Sequence, residues 1–201
     1  METSVYTVPM ALTDFIPVIL FGISAVLLTR DLRNKMSKGA AACLTVGVCA
    51  AFLAGFLKAM YKLLIALGAG TYPLLNTLFL PLQSSGLLLT GLGIVLMLAL
   101  RRKAALAMAP LTMGFITMMV LGLGAMCAGL SVIAAKMKKA GLIAVFVLCF
   151  FCYMGMGYLA SRDGNTAAAN WIEQGVNTLG QILLLAGVSS LHKAGLRDFA
   201  L

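Results

Sequence analysis

Asn34-Lys35-Met36-Ser37-Lys38-Gly39 returns 101 residues later as Ala135-Lys136-Met137-Lys138-Lys139-Ala140, and Asn76-Thr77-Leu78 returns at the same spacing as Asn177-Thr178-Leu179. Pro9 with Pro110 and Gly86 with Gly187 keep that register without a gap. The chain therefore reads as two copies of one unit, residues 1–100 and 101–201, packed as a single domain.

What kind of unit repeats follows from composition. Of 201 residues, 62% are hydrophobic and only 10% charged, with a mean hydropathy of +1.03; soluble domains carry about a quarter charged residues. Six stretches, at about 11–29, 40–60, 76–100, 111–135, 141–160 and 171–191, are apolar for long enough to cross a hydrocarbon core, which takes roughly 20 helical residues. The expected fold is an all-α integral membrane protein, a six-transmembrane-helix bundle of two three-helix repeats, in a bacterial cytoplasmic membrane. Those stretches use most of the chain and leave no room for a soluble catalytic or nucleotide-binding module. The first is read as a retained helix, because Met1-Glu2-Thr3-Ser4-Val5-Tyr6 carries no positive charge and no cleavage site follows. The net charge of +9 gathers at helix ends, not along one face. That pattern suits membrane-flanking anchors and argues against nucleic acid as a partner.

Three crossings per copy is an odd number, so strict alternation would insert the copies upside down relative to each other and bring both termini to one side. Counting Lys and Arg under alternation gives eight on one face (Arg30, Arg33, Lys35, Lys38, Arg101, Arg102, Lys103, Arg162) and seven on the other (Lys58, Lys62, Lys136, Lys138, Lys139, Lys193, Arg197). Cytoplasmic loops normally hold a clear excess, and a tie is what oppositely inserted copies produce. Both termini are then expected outside the cytoplasm. In the competing layout every basic cluster is cytoplasmic, and either the fourth segment dips in and returns or a hidden crossing exists around residues 95–115. The uninterrupted fourth segment favours alternation.

Polar side chains are costly in lipid and so tend to face a bundle interior or a water-filled path. Here they gather in the third and sixth spans. Glu173, Asn177 and Gln181 follow at four-residue steps and share a helix face, with Gln174 and Thr178 on its edge. Asn76 and Gln83, like Thr77 and Ser84, lie seven apart and form a second stripe. Pro81, beside Gln83-Ser84-Ser85-Gly86, is expected to break the third helix, since proline removes a backbone hydrogen bond; its counterpart Ile182 does not. The eight residues Asn76, Thr77, Gln83, Ser84, Glu173, Asn177, Thr178 and Gln181 are the candidate path for a small solute. Asn, Gln, Ser and Thr also serve as hydrogen-bonding glue between helices.

The leading expectation is thus a transporter or channel for a neutral or amphiphilic small solute, weakly charged within the membrane. The alternative is a non-transporting subunit, sensor or scaffold that docks on another membrane protein or on a second copy of itself. Gly124 with Ala128, and Ala125 with Gly129, give small-xxx-small spacing, a close-packing surface that would join either the two halves or two protomers. No catalytic set, cofactor or metal site is expected. Asp163, Glu173 and His192 lack the spacing of a lipid-processing centre. Cys43, Cys49, Cys127, Cys149 and Cys152 fall inside spans without a neighbour to activate them. Asp14 suits a helix-start role, Lys58, Tyr61 and Lys62 suit snorkelling to the interface, and Trp171 suits an interfacial anchor.

Overall fold

A computed structural model describes residues 6–100, 114–160 and 166–200. Its elements are all helical: α1 (Val8–Thr13), α2 (Phe15–Leu32), α3 (Lys38–Ala66), α4 (Pro73–Thr77), α5 (Phe79–Leu100), α6 (Phe115–Lys136), α7 (Gly141–Ala160) and α8 (Ala167–Lys193). Five runs, Val8–Lys35, Lys38–Ala66, Pro73–Ala99, Phe115–Lys136 and Gly141–Leu159, are long and apolar enough to cross a membrane. The 27-residue α8 is as long but carries the polar stripe of the sixth segment. Large apolar side chains such as Ile19 and Val26 on α2, Val46 on α3 and Phe151 on α7 are exposed on the outside of the bundle, as lipid-facing residues would be.

Two breaks have one cause. A proline ring lacks the N–H and crowds the carbonyl four residues earlier. Four residues before Pro17 and Pro81 stand Thr13 and Thr77, where α1 and α4 end; α2 and α5 resume two residues on, at Phe15 and Phe79. The break expected around Pro81 therefore falls at Leu78, near the helix start, and Pro81 itself sits in the first turn of α5. Its partner in kind is Pro17 in the first helix, not a residue of the sixth.

Each long helix packs against the next in sequence, and α2 closes the ring against α8. Glycines set how closely. A β-carbon on Gly86 would stand 2.6 Å from the Ala51 nitrogen, and one on Gly93 2.8 Å from the Leu44 nitrogen, so α3 and α5 run antiparallel with backbones touching. A β-carbon on Gly122 would stand 2.4 Å from the Leu87 carbonyl carbon, and one on Gly129 2.4 Å from Ile94. Here both numbers rise together, so α5 and α6 run parallel. So do α2 and α8: Gln174 meets Met10 and Thr13 near one end of the bundle, and His192 meets Asp31 near the other.

These contacts correct the expected topology. The triplets α2-α3-α5 and α6-α7-α8 point the same way, side by side, and are not inverted. Leu100 stands at one end of the bundle and Gly114 at the other, with residues 101–113 outside the described set. The described chain ends also lie apart: Tyr6 packs under Lys62 at what we call the Lys62 end, whereas the Phe199 carbonyl accepts a hydrogen bond from Lys35 at the His192 end. Alternation leads to the expectation of both ends on one side; the described ends instead stand at opposite ends of the bundle.

The small-residue stripe of α6 is consumed inside. Ala125 abuts Gly91, Gly129 abuts Ile94, and Gly124 faces Phe150; of the four residues only Ala128 is exposed. Ala125 and Gly129 thus join the two triplets, as one of the two expected uses of the stripe, while Gly124 packs within its own triplet against α7.

Candidate functional site

The His192 half of the bundle is solid. Leu28, Leu44, Ile94, Leu130, Ile133, Phe146, Leu184 and Leu191 are fully or almost fully buried there and form one cluster. The Lys62 half is hollow. All six long helices contribute to a cavity of about 510 Å³, within the range of small-molecule sites. Phe21, Ala51, Leu87 and Leu123 lie deepest, while Leu80, Ile116 and Tyr158 at the rim are exposed.

Three walls carry the polar groups. On α3, Lys58 and Lys62 stand one turn apart and so share a face. Lys62 Nζ lies 2.8 Å from Asp14 Oδ2, both side chains nearly buried, at 12% and 13% exposure. Asp14 occupies the break that Pro17 imposes between α1 and α2. Lys58 Nζ sits 4.2 Å from the centre of the Phe79 ring, a cation–π contact, and makes no ion pair within 4.0 Å among the described residues. On α8, Glu173, Asn177 and Gln181 line the cavity along their shared face. Gln181 Oε1 is buried without a hydrogen-bond partner among the described residues, and its side chain lies beside the Tyr153 hydroxyl. On α5, Gln83 completes the set.

Of the eight residues expected along a solute path, Gln83, Glu173, Asn177 and Gln181 line this cavity. The other four stand elsewhere. Asn76 and Thr77 are exposed on α4, where the Thr77 hydroxyl donates to the Pro73 carbonyl at 3.0 Å. Ser84 is fully buried between helices and its hydroxyl has no partner among the described residues. Thr178 is half-buried off the cavity face. The stripe on the third span is therefore split by the break at Leu78, which rotates Asn76 and Thr77 out of line with Gln83.

The lysines reverse an expectation. Lys58 and Lys62 were read as snorkelling outward to the interface, and both turn into the cavity. Together with Asp14 and Glu173 they place four charged groups on the walls of a mainly apolar cavity. Sequence position alone does not say which way a lysine near a helix end turns. The signal available was the i, i+4 pair of lysines in a span whose other turns are apolar, opposite a carboxylate at a proline break.

Gln174 ties the wall together. Its amide nitrogen donates to the Met10 carbonyl at 3.1 Å and to Thr13 Oγ1 at 2.7 Å, and Thr13 in turn donates to Met10 at 2.9 Å. Gln174 thus ties the end of α1 to α8, at a Met10 carbonyl that also accepts from the Asp14 N–H at 3.2 Å. At the far end of the same seam His192 Nδ1 lies 2.7 Å from Oδ2 of the fully buried Asp31, and Arg30 reaches the other His192 nitrogen at 3.3 Å. Glu173 and His192 occupy opposite ends of α8, and Asp163 falls outside the described residues. No group of three or more His, Cys, Asp or Glu residues among the described ones could hold a metal ion. No protein-family model, curated protein or solved structure matches the chain.

Proposed function

We propose that this protein is a small membrane transporter of two side-by-side three-helix copies, six crossings in all, whose Lys62-end cavity receives a small amphiphilic solute. The observation that carries the reading is the cavity: about 510 Å³ in an otherwise close-packed apolar bundle, with four Asp, Glu and Lys side chains and several amides on its walls. Burying such groups in a membrane bundle costs several kcal/mol unless they serve a polar path, and packing glue does not need a hollow around it. Parallel repeats related by an axis along the membrane normal are one of the two common transporter plans. The cavity is closed towards the His192 end by the buried cluster, the form of one state in an alternating cycle.

Charge supports an orientation. Among described residues nine Lys and Arg stand at the His192 end (Arg30, Arg33, Lys35, Lys38, Lys136, Lys138, Lys139, Lys193, Arg197), against Lys58 and Lys62 at the other. The near-tie counted under alternation disappears once α5 and α6 run parallel. By the positive-inside rule the His192 end, with the C-terminal residues, faces the cytoplasm and the cavity opens outward.

Flux into proteoliposomes tests the reading. Wild-type protein moves at least one member of a panel of neutral, anionic, cationic and zwitterionic amphiphiles, and Gln181→Leu and Gln83→Leu each slow that flux by up to about tenfold, as expected for one lost hydrogen bond to the solute. Flux equal to protein-free vesicles across the panel overturns it.

A further inference from the structure

From the charges on opposite walls of this cavity we infer that its ligand is a zwitterion: a small molecule with an anionic head, a cationic head and an apolar body. The inference rests on reading the cavity as a solute site and adds the ligand's charge. Four Asp, Glu and Lys side chains line the space, two of each sign. Asp14 and Lys62 neutralise each other at 2.8 Å. Lys58 and Glu173 remain, and neither has an oppositely charged partner within 4.0 Å among the described residues. Among the described residues the Lys58 ammonium rests against the Phe79 ring, at 4.2 Å.

Ions in a low-dielectric site need partners. A singly charged ligand would pair one of these two and leave the other uncompensated. A neutral ligand would pair neither. A ligand carrying both charges pairs both, and leaves the site, net neutral beforehand, net neutral afterwards. The amides agree with that polarity. Gln181 Oε1 is a buried acceptor without a hydrogen-bond partner among the described residues, about two turns further along the α8 face that carries Glu173, so that wall presents acceptors and Glu173 takes the ammonium. Lys58 on α3 then takes the anionic head. The apolar body fits the floor of Phe21, Leu87 and Leu123. Free amino-acid-like solutes and zwitterionic lipid headgroups share this chemistry.

The test is equilibrium binding to the purified full chain in detergent, using matched triplets with one body and three charge states: phenylalanine, 3-phenylpropionate and phenethylamine, then leucine, 4-methylpentanoate and isoamylamine. At least one zwitterion binds about tenfold or more tightly than both of its singly charged analogues. Glu173→Gln erases the advantage over the acid, and Lys58→Gln erases the advantage over the amine. The wild-type comparison stands without either variant, and Glu173, near the rim, is the safer of the two to replace. Displacement of the bound amino acid by phosphatidylethanolamine in mixed micelles assigns the headgroup as the source; its failure to compete assigns the free solute. Equal binding within every triplet, or tighter binding of an acid or an amine, overturns the inference, as does failure of both amino acids and of phosphatidylethanolamine to bind. Binding with this preference but without flux into proteoliposomes would instead overturn transport, and flux of a solute with no such preference would leave transport standing without the zwitterion.

Discussion

At the scale of single residues, the Asp14–Lys62 pair is where charge and stability meet. A buried pair stripped of one partner leaves an uncompensated ion, whereas removal of both can be nearly neutral. Asp14→Asn should therefore lower unfolding stability in detergent by about 3 kcal/mol, near the low end for a buried pair because the cavity mouth is wet. Asp14→Asn combined with Lys62→Met should recover most of that loss, and thermal unfolding of the three variants against wild type measures both. The sequence made part of this site legible. Glu173, Asn177 and Gln181 share a face because four residues make about one helical turn, and no tertiary knowledge is needed to see it. Lys58 and Lys62 were misread because snorkelling and inward-turning lysines look alike in one dimension. What separates them is the carboxylate delivered by a different helix.

At the scale of elements, glycine and proline decide. A β-carbon on Gly122 would stand 2.4 Å from backbone atoms of Leu87 and Leu88, which cannot move aside as a side chain can. Gly122→Ala should cost about 3 kcal/mol through overpacking. Gly175 has nothing within 4 Å of the same position, so Gly175→Ala should be neutral or stabilise by up to about 1 kcal/mol through helix propensity alone. A pair of melting curves separates a packing glycine from a merely helical one. The break at Leu78 was half legible, and the one at Asp14 was not drawn from Pro17 at all. Proline marks an interruption, but the lost hydrogen bond belongs to the residue four places earlier, so the bend appears upstream of the proline and removes Asn76 and Thr77 from the line of Gln83. Five of the long helices were legible from apolar length, and the sixth, α8, from its length and polar stripe. Their directions were not, because no local property of α5 or α6 encodes that Gly122 will meet Leu87.

At the scale of the whole molecule, parallel triplets make a claim that inversion does not. With exposed Cys49 replaced first, Ser37→Cys and Lys138→Cys should both react with an impermeant thiol reagent from the same side of the membrane, and Leu74→Cys, exposed on α4, from the other. Labelling of Ser37→Cys and Lys138→Cys from opposite sides would restore the inverted plan. The two triplets also meet along two unlike seams. Between α5 and α6 the contact is backbone against backbone through Gly91 and Gly122, with Gly129 seating the Ile94 side chain. Between α2 and α8 it includes side-chain hydrogen bonds, from Gln174 at one end and His192 at the other. Interlocked backbones do not part without losing many contacts together, whereas side-chain bonds can be exchanged for water one at a time. The bundle is in effect a book, with a spine at α5/α6 and a fore-edge at α2/α8. If the bundle transports as proposed, a crosslink between Arg30→Cys and His192→Cys should then stop turnover while leaving ligand binding intact, because the covers could no longer separate at the His192 edge.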